Sequence, residues 1–178
     1  MLIDAQPSLI IENFGKSLKK RLWWSILLRD RSLCIGLRRR PQVYVEYWDW
    51  LEEDDFEEEI QYSQVYDKAT KRQLFQVLQE QCRLAVLLSD LVSLVFVPRG
   101  ISSCFLTMAE FEGMMSTIER INQSLVEWEI KTPFPAPTPT EPTDLDNPVA
   151  ILTNLTFMYL QYEALLFSAL LILDPQYS

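Results

Sequence analysis

What this chain lacks constrains its fold more than anything it contains. Only four of its 178 residues are glycine. Of its ten prolines, six (Pro133, Pro135, Pro137, Pro139, Pro142 and Pro148) crowd into residues 132–148. The long apolar stretches on either side are therefore nearly free of the two residues that most readily interrupt a helix. With 48% hydrophobic residues, the chain has ample material for a core. Few turn formers and long apolar runs predict an all-α protein: a single domain over 1–178, an irregular bundle of about four to six helices with one long proline-rich loop at 132–148.

Individual helices follow from periodicity. Residues 16–36 read as helix, with Leu18, Leu22, Ile26, Arg29 and Leu33 recurring at three- and four-residue steps as a stripe able to face a core. Gly36 and Pro41 mark its end. Residues 1–15 fit either the stub of a helix or a docking strand. Residues 42–62 read as an acid- and aromatic-rich connection with at most a helical turn around Glu52–Phe56. Residues 63–97 read as one long helix or two joined, with a stripe of Leu74, Leu78, Ala85, Leu88, Val92 and Val95. Thr107 with Glu110 forms a capping box that opens a helix to Lys131, with Met108, Phe111, Met115, Ile118, Leu125 and Trp128 on one face. Asn147 and Pro148 open a last helix running to about Leu173. That helix is long enough to raise a membrane span, but Asn154, Gln161 and Glu163 lie inside it. A carboxylate near a bilayer centre costs about 2.5–3.5 kcal/mol, so a core helix is expected.

Composition removes several function classes. A net charge of −9 argues against direct nucleic-acid binding. Cys34, Cys82 and Cys104 are odd in number and widely spaced, so buried reduced thiols are expected rather than disulfides or a metal site. There is no histidine, which excludes Ser-His-Asp and Cys-His catalysis. No glycine-rich phosphate loop is present. No catalytic residue, cofactor or metal ligand is assigned.

Carboxylates in apolar helices remain as candidates for chemistry. Asp30, Asp90 and Glu163 would each have a raised pKa on burial unless a cation pairs with them. A buried ion pair fixing helix register is the expected role. Asp30 lies between Arg29 and Arg31, but sequence neighbours on a helix point to different faces. Trp23 and Trp24 diverge by about 100° on a helix, so both pack only if that helix is enclosed. The run EYWDWLEEDDFEEEI (46–60) has the composition of an acidic-hydrophobic activation segment, and equally of a solvated loop pinned by aromatics.

The segment RLWWSILLRDRSLCIGLRRRPQV (21–43) resembles the middle of the regulatory domain of fungal-specific transcription factors, whose members usually carry a binuclear zinc cluster. Its matching positions are Trp23, Trp24, Arg29, Asp30, Arg31, Gly36, Arg39 and Pro41, expected to be structural. LEEDDFE (51–57), LFQVLQEQCRLAVLLSDLVSLVF (74–96), INQSLVEWEIKTPFP (121–135) and ILTNLTFMYLQYEALLFSALLILDP (151–175) extend the likeness to about residues 16–175. The six-cysteine cluster that binds DNA in this family is not in this sequence.

The resemblance implies a transcription-factor-like regulatory protein without its own zinc cluster: a truncated regulator, a fragmentary gene product or a domain put to new use. It would serve a metabolic or secondary-metabolite gene set in the nucleus, with the cytoplasm as the alternative. Protein partners are expected (a full-length regulator or co-regulator), with a small-molecule effector as an option and neither direct nucleic-acid contact nor a membrane. Two other classes stay open: a small cyclase or isomerase with an apolar helical pocket using Asp90 or Glu163, and a non-catalytic dominant-negative binding module.

Overall fold

A computed structural model describes residues 7–37, 39–44, 49–62, 64–95, 107–133 and 147–156, with the side chains of 7–14, 94 and 95 excepted. The fold is all-α, and no strand occurs among the described residues. Helix α1 spans Pro7–Leu37. A 3-10 turn, Glu53–Phe56, runs directly into α2, Glu57–Tyr62. Helix α3 is Lys68–Val95 and α4 is Met108–Lys131. Residues 148–156 are helical as well.

Each helix start has a local cause. Helix α1 begins at Pro7, whose fixed φ and missing N–H suit a first turn. It therefore starts nine residues earlier than the periodicity predicts, and residues 7–15 are helix rather than strand. Asp67 caps α3, its Oδ1 accepting from the Ala69 and Thr70 amides at 2.8 and 3.0 Å. Those bonds, with one from the Thr70 hydroxyl, hold its carboxyl below the ordinary range. The expected capping box opens α4: the Glu110 amide donates to Thr107 Oγ1 at 3.3 Å, and the Thr107 amide to Glu110 Oε2 at 2.8 Å. Asn147 Oδ1 accepts from the Val149 and Ala150 amides. Residues 134–146 of the expected proline-rich loop, residues 157–173 of the expected last helix, Val95's side chain and Cys104 lie outside the described residues.

Helix α3 is the hub: α1 packs along it, and α2 and α4 each pack against it as well. Cys34 and Ile35 of α1, Leu84, Leu88, Leu91 and Val92 of α3, and Ile121, Leu125 and Trp128 of α4 form one core. A second core joins Trp24 and Leu27 of α1, Leu51, and Phe75 and Cys82 of α3. Leu27, Leu84, Leu88 and Leu91 are completely enclosed, and burying each contributes about 1.5–3 kcal/mol. Gln81 Nε2 donates to Thr156 Oγ1 at 2.9 Å, tying residues 148–156 to α3.

Four expectations need correction. The face of α1 that meets the core is not the Leu18, Leu22, Ile26, Arg29 and Leu33 stripe. Leu18, Leu22, Ile26 and Arg29 are exposed and Leu33 half-buried, while Trp24, Leu27, Asp30, Arg31, Cys34 and Ile35 face inward. The two faces carry similar apolar content, so periodicity could not rank them; the tryptophan, the ion pair and the thiol decide. Gly36 does not end the helix by a special backbone conformation, since α1 continues through Leu37 and a side chain at 36 would meet open space. The acidic connection is helical from Glu53 to Tyr62. Its carboxylates crowd the first turns, where the helix dipole favours them, and Leu51 and Ile60 anchor it in the core. Met108 is exposed at the start of α4; Ile121 takes the place given to it on the core face.

Candidate functional site

Of the residues singled out in 21–43, Asp30, Arg31 and Arg39 converge on one buried knot where α1, the segment after it and α3 meet. Asp30 and Arg31 are 5% and 3% exposed. Asp30 Oδ2 accepts from Arg31 Nη1 at 2.7 Å, and from the backbone amides of Gln42 and Val43 at 3.1 and 3.2 Å. Arg39 Nη2 stands 3.7 Å from Oδ1. Arg31 Nε donates to Ser89 Oγ of α3 at 2.8 Å, and Nη2 donates to the Val43 carbonyl at 2.8 Å. Ser89 in turn donates to the Ala85 carbonyl.

Asp30 and Arg31 thus pair with each other, against the expectation that sequence neighbours diverge. Their Cβ atoms do start about 100° apart. The long arginine stem and the backbone of Val43 close the gap, for Val43 gives its N–H to the carboxylate and its C=O to the guanidinium. Burial pulls the Arg31 guanidinium below its ordinary pKa, and the facing Asp30 carboxylate opposes that pull. Cys34, one turn on, is raised by burial and next by the Asp30 charge. Cys82 is pushed up to about 12 by burial. Both are buried free thiols with no sign of nucleophile activation.

The chain reversal after α1 serves the same knot. The Arg39 amide donates back to the Cys34 carbonyl at 3.1 Å, closing the helix end. Pro41 is buried behind it. Arg29 and Gly36 are the members of the set that stay outside, on the solvent side of α1.

One and two turns earlier lies an aromatic group. Trp24 is buried, and its Nε1 donates to the Asp49 carbonyl at 3.1 Å. Trp23 meets it edge-on at 4.8 Å and Trp50 stacks on it at 4.9 Å between centroids. The acidic segment docks on the same flank. Lys20 bridges to Asp55 at 3.0 Å, Arg21 pairs with Glu59 and lies over Phe56, and Phe56 meets Phe75. Residues 49–62 are therefore a folded part of the bundle rather than a free activation segment.

Sequence reasoning missed Ser89, Gln42, Val43 and Trp50. A serine in the apolar run LAVLLSDLVSLV, one of two there, was the available signal for Ser89; the loop amides leave no trace in side-chain identity. Asp90 is corrected: it lies on the surface, more than half exposed, with Arg120 of α4 at 3.1 Å. Glu163 lies outside the described residues. A cavity of about 50 Å³ sits between α1 and α3, lined by Leu28, Arg31, Gln81, Leu84, Ala85 and Leu88. Ligand pockets usually run to about 300–1,000 Å³, so this space holds a few atoms at most. Asp90 does not reach it. No described helix is long and apolar enough to cross a membrane, and no metal-binding cluster occurs among the described residues.

Comparison with known proteins gives one stretch of similarity. Over 47 residues, a quarter of the chain, the sequence is 45% identical to cutinase transcription factor 1 beta of Fusarium vanettenii. That stretch is 5% of the length of the fungal protein. No family model matches the chain, and no solved structure matches it.

Proposed function

We propose that this protein is a transcription-regulator-like module that works through protein partners, in the nucleus, on a metabolic or secondary-metabolite gene set. The observation that carries this reading is the 45% identity over 47 residues to a fungal transcription factor. The relationship to a transcription factor is local, and the partners, target genes and compartment are the proposal. The buried Asp30–Arg31 knot supports a structural role for the residues that resemble the regulatory domain, since each polar atom of the pair is directed at a loop or helix of the same fold. A net charge of −9 fits action through protein rather than by contact with phosphates. The test is deletion of the gene with transcript profiling, together with imaging of the tagged chain. Changed transcripts of a coherent gene set and nuclear signal are expected. Unchanged transcripts alongside an accumulated metabolic intermediate would overturn the reading in favour of an enzyme.

A further inference from the structure

We infer that the outer face of α1 is a docking surface for an acidic amphipathic helix of a partner protein. This rests on the reading above that the chain acts through partners. Leu18, Leu22 and Ile26 are 49%, 59% and 47% exposed. With Arg29 and the half-buried Leu33 they recur at steps of four, four, three and four residues. At 3.6 residues per turn they share an arc of about 80°, opposite Trp24, Leu27, Arg31 and Cys34. From Leu18 to Leu33 the stripe runs about 22 Å at 1.5 Å per residue, the length of a modest helix–helix contact. Spacing of this kind is what a second helix reads when it packs in a coiled-coil manner.

Charge selects the partner. Between Gly15 and Leu37 the acid in α1 is Asp30, and it is buried. Lys20 and Arg21 are turned to the flank, against Asp55 and Glu59. Arg31 is inside. Lys19 at the edge of the stripe and Arg29 within it remain exposed, and among the described residues neither takes part in an ion pair. A chain of net charge −9 thus presents one aliphatic face whose exposed charges are positive. A helix with an apolar stripe flanked by glutamates complements it, and a basic helix does not. An anionic bilayer is the poorer occupant: the face has two cations and no aromatic belt, on a molecule repelled as a whole by anionic lipid.

The experiment uses the full chain and fluorescein-labelled peptides of about three heptads, leucine at a and d, with glutamate at e and g. A twin carries lysine at e and g. Anisotropy should show the glutamate peptide binding at least about tenfold tighter than its twin, and weakening as salt rises. The double variant L22E/I26E should lose at least about tenfold in affinity with a thermal melt that changes little, because both side chains are already about half exposed. K19E/R29E should reverse the preference toward the lysine peptide. Equal binding of both peptides, or binding of neither, overturns the proposal. So does tighter binding to phosphatidylserine vesicles, or self-association on sedimentation that L22E/I26E abolishes. That last outcome has a physical route, since α4 exposes Val126 and Ile130 on the side carrying Glu119. If no peptide binds but gene deletion alters transcripts, the docking surface falls and the regulatory reading stands; peptide binding with unchanged transcripts gives the converse.

Discussion

Asp30→Asn isolates the electrostatics of the central knot, because the substitution keeps the side chain's volume and opens no cavity. The introduced carboxamide can place its carbonyl oxygen where Oδ2 now accepts from Arg31, Gln42 and Val43. Its nitrogen then faces the Gln42 N–H and Arg39, which want an acceptor. Above all, Arg31 is left as an uncompensated charge at 3% exposure with neutral acceptors alone: the carboxamide oxygen, the Ser89 hydroxyl and the Val43 carbonyl. Removing one partner of a buried pair costs about 3–5 kcal/mol. Domains are stable by about 5–15 kcal/mol, so about a fifth or more of the total is at stake. With a urea slope of about 2 kcal/mol per molar, the midpoint should fall by about 1.5–2.5 M. Urea unfolding followed by tryptophan fluorescence reads this directly, Trp24 being buried in the same helix. Arg31→Met added to Asp30→Asn should restore at least about 1 kcal/mol, since it removes the stranded charge. The surface pair is the control: Asp90→Asn should shift stability by no more than about 1 kcal/mol. A loss below about 1 kcal/mol for Asp30→Asn, or a further full loss on adding Arg31→Met, would refute the reasoning.

Cys82 gives a pH dependence of known sign. Its unfolded thiol ionises near 9.0 and its folded thiol holds its proton to about 12, so the stabilising contribution is complete below pH 9 and is lost as pH rises through that window. The slope should approach about 1.4 kcal/mol per pH unit in urea midpoints taken from pH 9 to 11, and Cys82→Ala should flatten it while lowering stability overall. Gly36 and Gly113 are helical, and a methyl at either would meet open space. Gly36→Ala and Gly113→Ala should each stabilise by about 0.5–1 kcal/mol, measured as a rise in melting temperature. Trp24→Ala should cost about 3–5 kcal/mol through its cavity and the lost bond to Asp49. Trp50→Ala should cost only the stack, about 0.5–1.5 kcal/mol in the same denaturant assay, because half of it is already in water.

The scarcity of glycine and the placement of proline were enough to give an all-α fold, and the Thr107–Glu110 and Asn147–Pro148 caps placed two helix starts to the residue. Those signals are local, written in a few adjacent side chains. What the sequence could not express was the choice between faces. Helix α1 is apolar on both sides, so Leu18 and Leu22 scored as core while Leu27 did not, and only the packing of α3 and of the segment after α1 reveals which side is covered. The same limit hid the partners of Asp30. Two of its donors are backbone amides twelve and thirteen residues away, and amides have no letter in a sequence. Asp90 failed for the opposite reason. Its neighbours Leu88, Leu91 and Val92 point to the core, but one residue's rotation on a helix carries Asp90 to the surface. The matching positions Asp30, Arg31 and Arg39 are brought together and Trp24 is buried in the neighbouring core, whereas Arg29 and Gly36 of the same set lie outside.

Why α1 should be fixed by an ion pair rather than by more leucine follows from its two apolar faces. A helix greasy on both sides can dock either way round at similar free energy, and hydrophobic burial is non-directional. A carboxylate and a guanidinium that must reach Gln42, Val43 and Ser89 cannot be satisfied in the flipped orientation, and leaving them buried and unpaired there is costly. The knot therefore discriminates between orientations even where it adds little to net stability. Replacing Asp30 and Arg31 together by leucine and methionine tests this. The double variant should keep much of its urea midpoint while Leu22 and Ile26, changed to cysteine and probed with a thiol reagent, become partly protected from labelling. If labelling at both positions stays as fast as in the parent with the pair intact, packing alone sets the orientation and the ion pair has no such role.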